Sequence, residues 1–120
     1  MYTSTLRRFP KEIEFLGDSL DQLRRFPALV RQAAGHELFK LQTDEQPTDY
    51  KPIPTIGSGV NELRISSAKG QHRIIYVAKF QSRIYVLVVF EKKTQKIPTH
   101  IIALAKARFR QILSTERSTQ

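Results

Sequence analysis

The segment RIYVLVVF, Arg83–Phe90, constrains this chain more than any other. Every residue after Arg83 is apolar or aromatic, and Ile84, Val86, Val88 and Val89 are β-branched. A run with no polar side suits a central strand covered on both faces. It is far too short to span a bilayer. Two further strands are predicted before it. Val60–Ser66 alternates around Leu63 and Ile65, and His72–Phe80 contains Ile74, Ile75, Tyr76 and Val77. The connections Ser67–Gln71 and Gln81–Ser82 are short, so the three strands should form an antiparallel meander.

Met1–Arg8 reads as a polar start. In Lys11–Gly17, Ile13 and Phe15 alternate with Glu12 and Glu14, the period of a short strand. Asp18 or Ser19 can then cap a helix bearing Leu20 and Leu23. A second helix is expected from Pro27 to Leu41, where Leu29, Val30, Ala33, Ala34, Leu38 and Leu41 recur at helical spacing. Gln42–Gly59, with Pro47, Pro52, Pro54, Gly57 and Gly59, reads as an extended connector. Pro98 stops the chain, and Thr99 can cap a last helix reaching about Leu113 with Ile101, Ala105, Phe109 and Ile112 on one face. The expected order is βααβββα. This is an α+β fold, an antiparallel sheet with helices packed on one side. Residues 1–113 make a single domain, and 114–120 a polar tail.

Charge is distributed unevenly. The 120 residues carry a net +9. Met1–Glu62 holds 8 Lys and Arg against 9 Asp and Glu, a net of −1. Leu63–Leu113 holds 11 Lys and Arg against Glu91 alone, a net of +10. A polyanion is the natural partner of such a stretch, with nucleic acid ahead of a membrane surface. There is no cysteine, which excludes a disulfide framework and a Cys-ligated zinc site and suits a reducing cytosol. No apolar core of a signal peptide follows Met1, so a cytoplasmic protein is expected.

Phosphate-binding loops, dinucleotide fingerprints, HExxH and GxSxG motifs are absent from the sequence. His36, His72 and His100 are scattered singly, so no metal site is expected. The positive signal is cations interleaved with aromatics. Arg64, Arg73 and Lys79 belong to strand candidates, and Lys92, Lys93 and Lys96 follow the last strand. Tyr76, Phe80, Tyr85 and Phe90 lie between them. Cations suit phosphate contacts and aromatic rings suit stacking on unpaired bases, though Tyr85 and Phe90 fit a core better than a stacking platform. Arg73 borders an apolar run, where a lone charge would be costly. It must therefore meet a carboxylate or open onto a cleft. Cleaving RNA requires deprotonation of a 2′-hydroxyl, stabilisation of the phosphorane and protonation of the 5′-oxygen. The basic stretch offers Glu91, His72, His100 or a crowded lysine for the proton transfers.

The segments GVNELRIS (Gly59–Ser66), HRIIYVAKF (His72–Phe80), IYVLVVFEKKTQKIP (Ile84–Pro98) and IIALAKARF (Ile101–Phe109) resemble the HigB-like, phage-derived branch of the RelE/ParE toxins. The same holds for EIEFLGDSLDQLRRFP (Glu12–Pro27), GHELFKLQ (Gly35–Gln42) and YKPIPTIGSGV (Tyr50–Val60). The resemblance implies a RelE-like toxin fold. It also implies endonucleolytic cleavage of mRNA, usually in the ribosomal A site, without a metal or other cofactor. The implied partner is a neighbouring antitoxin, often a helix-turn-helix protein that blocks the toxin and binds its own promoter.

By resemblance, Arg73 matches the strand arginine that contacts the scissile phosphate. Lys92 and Lys93 stand at the basic strand end, where the family places charge-stabilising or proton-transferring groups. Arg64 falls where relatives carry basic residues. Lys79, Lys96 and Tyr76 are the further candidates for RNA contact. Well-studied relatives carry a base-stacking tyrosine near the start of the last helix. The nearest residue here is His100, a departure that leaves the stacking platform and the general base open. ParE-type members attack DNA gyrase, and a non-catalytic nucleic-acid-binding module is a third reading, so the fold does not decide among the functions.

Overall fold

A computed structural model describes residues 10–118. At its centre lies β5, Arg83–Lys92, with Ile84–Phe90 buried throughout. It sits second in a five-stranded sheet of order β1-β5-β4-β3-β2. The partners are β1 (Glu12–Phe15), β4 (Gly70–Val77), β3 (Val60–Ser67) and β2 (Tyr50–Pro52). The helices are α1 (Ser19–Arg24), α2 (Ala28–Gln42) and α3 (Thr99–Ser118). The polar start expected at Met1–Arg8 lies outside the described residues. No helix among them is long and apolar enough to cross a membrane.

The α+β class holds, with three corrections. First, the sheet is mixed. β2 to β5 run antiparallel, but β1 pairs with β5 in parallel, Ile13 opposite Ile84. Second, the helices do not share one side. Val30, Ala34, Leu38 and Leu41 of α2 pack with Leu63, Ile65, Ile74, Tyr76, Ile84, Val86 and Val89. Ile101, Ala105, Phe109 and Ile112 of α3 pack on the other face with Val60, Ile75, Val77, Tyr85, Leu87, Val88 and Phe90. A strand apolar on both faces needs an apolar cover on each. Third, the order is βααββββα. The additional strand, β2, is three exposed residues inside the supposed connector. Pro52 is compatible with it because β2 is an edge strand with no outer neighbour.

One residue breaks the alternation of β5. Ile75 pairs with Val88 while Tyr76 pairs with Val86, so Leu87 has no opposite residue. This β-bulge turns the consecutive residues Leu87 and Val88 toward the same core. The Leu87 carbonyl accepts from Arg108 Nη1 at 2.7 Å and from Ser19 Oγ at 3.2 Å. Ser19 is fully buried in doing so. The expected capping of α1 is therefore absent. Asp18 occupies the N-cap without a side-chain cap bond, and its carboxylate instead accepts from Gln22 and Arg108.

The last helix outruns its expected end at Leu113. It continues to Ser118 because Glu116, in the supposed tail, reaches back to the sheet. Its carboxylate accepts from the Tyr85 hydroxyl and from Ser82 Oγ. Those two bonds hold the Glu116 carboxyl below the usual carboxylate range. Burial, followed by the bond to Glu116, pushes the Tyr85 hydroxyl up to about 12.

Two outcomes are expected. Arg108→Met removes the charged donor to the Leu87 carbonyl and should lower unfolding stability in urea by about 1–3 kcal/mol. Tyr85 holds its proton more tightly folded than unfolded, so its stabilisation is complete below pH 10 and is lost as pH rises toward 12. Thermal melts should show that loss in the native chain and less of it in Tyr85→Phe.

Candidate nucleic-acid interface

Strand alternation assembles the site. On β3, Glu62 and Arg64 point to the α3 side of the sheet, and on β4 Gln71 and Arg73 do the same. Arg64 pairs with Arg73, Arg73 with Phe90, and Gln71 with Lys92. α3 does not begin until Thr99, so this end of the sheet face is left to the connecting residues 93–98. The result is a groove of two adjoining lobes. One, of about 520 Å³, is lined by Gln71, Arg73, Lys92, Lys93, Thr94 and Gln95. The other, of about 340 Å³, shares Lys92 and Gln95 and adds Lys51, Arg64, Lys96 and Glu62 to its lining. Six cations thus face one groove, and Glu62 is the one carboxylate in its walls.

Two arginines directly opposite each other repel. Each has a carboxylate to offset this. Arg64 Nε lies 3.2 Å from Asp49 Oδ1 at the surface. Arg73 Nε lies 3.5 Å from Glu62 Oε2, an ion pair short of hydrogen-bond geometry and almost wholly buried. Arg73 is 7% exposed. Its Nη1 donates to the His72 carbonyl at 3.0 Å and its Nη2 to Gln71 Oε1 at 3.1 Å. Gln71 Oε1 also accepts from Ser66 Oγ at 2.7 Å. The guanidinium is thus fixed in orientation while lining the larger lobe, so it can present its outer edge to an anion without losing side-chain entropy on binding.

Of the residues singled out from sequence, the structure brings together Arg73, Lys92, Lys93, Arg64 and Lys96. Lys92 is half-buried, and Lys93 and Lys96 are exposed. Three are corrected. Tyr76 points to the α2 side, 1% exposed, and offers no ring face to a base. Burial pushes its hydroxyl pKa up. Lys79 lies beyond the opposite end of β4, its ammonium 5.3 Å from the Phe80 ring centre and 5.7 Å from that of Phe109. His100 is exposed in the first turn of α3 and lines neither lobe. His72 also leaves the site, because it faces the α2 side and packs edge-on against Phe26 at 4.4 Å. Among the described residues, no three His, Asp or Glu side chains come close enough to hold a metal.

Sequence reasoning missed Glu62, Gln71 and Lys51. Glu62 had been counted with the acidic half of the chain. It stands two residues before Arg64 on a strand, and that spacing places both on one face. Lys51 lay in the supposed connector and gained a place only through β2. No signal in the sequence marked it.

A comparison with the curated proteins finds no match. A protein-family model does match, over residues 21–110, and these include the whole groove. The match runs from α1 through most of α3. By this match the chain belongs to the family described as phage-derived protein Gp49-like (DUF891).

Proposed function

We propose that this chain is the toxin of a toxin–antitoxin pair, with a RelE-like fold of the HigB-like branch, and that it cuts mRNA on the ribosome in the cytoplasm. The observation that carries the reading is the convergence of Arg73, Lys92 and Lys93 on one cavity. Membership of a phage-derived family and the resemblance to HigB-like toxins support it. The cations of the adjoining lobe provide a track for the flanking phosphates.

The chemistry follows from the groups present. Attack of a 2′-hydroxyl oxygen on the adjacent phosphorus displaces the 5′-oxygen of the next nucleotide and leaves a 2′,3′-cyclic phosphate. The 2′-hydroxyl proton needs an acceptor, and Glu62 is the one carboxylate in the groove wall. Negative charge accumulates on the phosphorane oxygens, where the fixed Arg73 guanidinium stabilises it. Lys92 or Lys93 delivers a proton to the departing 5′-oxygen. A cognate antitoxin, expected to carry a helix-turn-helix, would inhibit by laying an acidic segment in the same groove.

The test is cell-free translation followed by mapping of transcript 5′ ends. Lys93→Ala keeps the fold, because Lys93 is exposed, and should lower cleavage roughly 100- to 1000-fold, the usual cost of losing one transition-state donor. Arg73→Ala should lower it at least as far, and should also destabilise the fold by about 3–5 kcal/mol by leaving the buried Glu62 carboxylate unpaired. Undiminished cutting by both variants would move the site elsewhere. Salt-sensitive ribosome binding without cutting would make the chain a non-catalytic binder. DNA damage with intact transcripts would favour gyrase as the target.

A further inference from the structure

A second concavity, of about 480 Å³, lies on the opposite side of β2. It is bounded by the end of α2, residues 44–47 and the α2-side face of β2, β3 and β4. Asp44, Glu45, Tyr50, Asn61 and Tyr76 supply most of its polar lining, and Pro52 joins it to the edge of the basic groove. In a chain of net charge +9, no lysine or arginine lines it.

Two of its polar groups, Tyr76 and Glu45, have unused capacity. Tyr76 is 1% exposed and lines the cavity, yet its hydroxyl has no hydrogen-bond partner among the described residues. The ring is buried but the hydroxyl is not among the buried unpartnered atoms, so it opens onto the cavity and is free to bond a ligand placed there. Asp44 is already engaged, with Lys11 at 4.0 Å among its contacts. Glu45 accepts only from Thr43 Oγ1, at 3.2 Å, and has no ion-pair partner among the described residues. Tyr50 is 38% exposed and lines the cavity, an aromatic ring of the kind that attracts a planar cation. A phosphate or nucleotide would meet the two carboxylates and be repelled. A guanidinium group fits each feature. It donates in a plane to a carboxylate and a phenol oxygen, stacks on an aromatic ring, and carries a methylene stem suited to proline walls.

We propose that this cavity takes the guanidinium group of an arginine side chain presented by a protein that covers β2. The site is independent of the cleavage chemistry, because none of the cations of the basic groove lines it. A protein seated over β2 would touch both concavities, since Pro52 lines each.

The full chain, labelled with nitrogen-15, is titrated with Nα-acetyl-arginine amide, which mimics arginine within a polypeptide. Nα-acetyl-norleucine amide and free L-arginine serve as comparisons. Saturable shifts at Tyr50, Asn61 and Tyr76 in the roughly millimolar range are expected for the blocked arginine and not for norleucine. Glu45→Gln should weaken binding about tenfold, and Tyr76→Phe, which keeps the buried ring, about threefold. The proposal is overturned by an absence of saturable shifts, by equal binding of norleucine, or by indifference to Glu45→Gln. Binding of free arginine without the blocked form would overturn the polypeptide source.

Discussion

Burial of β5 on both faces governs the rest of the molecule. Its residues from Ile84 to Phe90 have no side that water can wet, so two separate apolar layers have to form. The α2 layer and the α3 layer meet this demand in different ways. α2 precedes β2 to β5 in the chain and lies over β3, β4 and β5, while α3 comes last and closes the other side. Six residues, 93–98, separate the end of β5 from the first turn of α3. That gap leaves the groove-bearing end of the face without a helix over it. The groove is thus a by-product of where the second apolar cover starts.

Within that gap electrostatics takes over from packing. Arg64 and Arg73 stand opposite each other, an arrangement that would be unfavourable without Glu62 and Asp49. A buried ion pair such as Arg73–Glu62 adds little net stability, because desolvation of both charges offsets their attraction. What it does confer is position. The guanidinium is held from three directions and cannot fold away from the groove. The surface pair Arg64–Asp49 is free to rearrange, so the two arginines differ in rigidity although they share a register.

Much of the fold was legible in the sequence because its signals are local. β1 and β3 follow from period 2, both longer helices from period 3.6, and β4 and β5 from unbroken β-branched and aromatic runs. The parallel placement of β1 is a tertiary fact that no local period encodes. β2 was illegible because a three-residue edge strand containing Pro52 looks like a connector. The expectation of helices on one side failed although the run Ile84–Phe90 already argued for a cover on each. In the candidate site, the charge imbalance pointed to the stretch that supplies most of the groove's cations, and resemblance singled out Arg73, Lys92 and Lys93, which share one lobe. Tyr76 failed because an aromatic residue on a doubly covered strand goes to the core. Lys79 failed because nearness along the chain to Arg73 is not nearness in space: the rest of β4 and the residues just past it carry the chain away from the groove, up to roughly 20 Å over six extended residues.

The unpaired Leu87 has an effect far from its own position. Everything downstream of it on β5 is turned by half a period relative to β4. With the extra residue in place, Lys92 falls beside Gln71 and Arg73 on the groove side, and Glu91 points the other way, toward the side of His72. In a strand without the bulge the two would exchange faces, and a carboxylate would stand next to the arginine in place of an ammonium. The sign of the local electric field in the groove is therefore set by a counting step five residues upstream, much as an inserted letter changes every word that follows it.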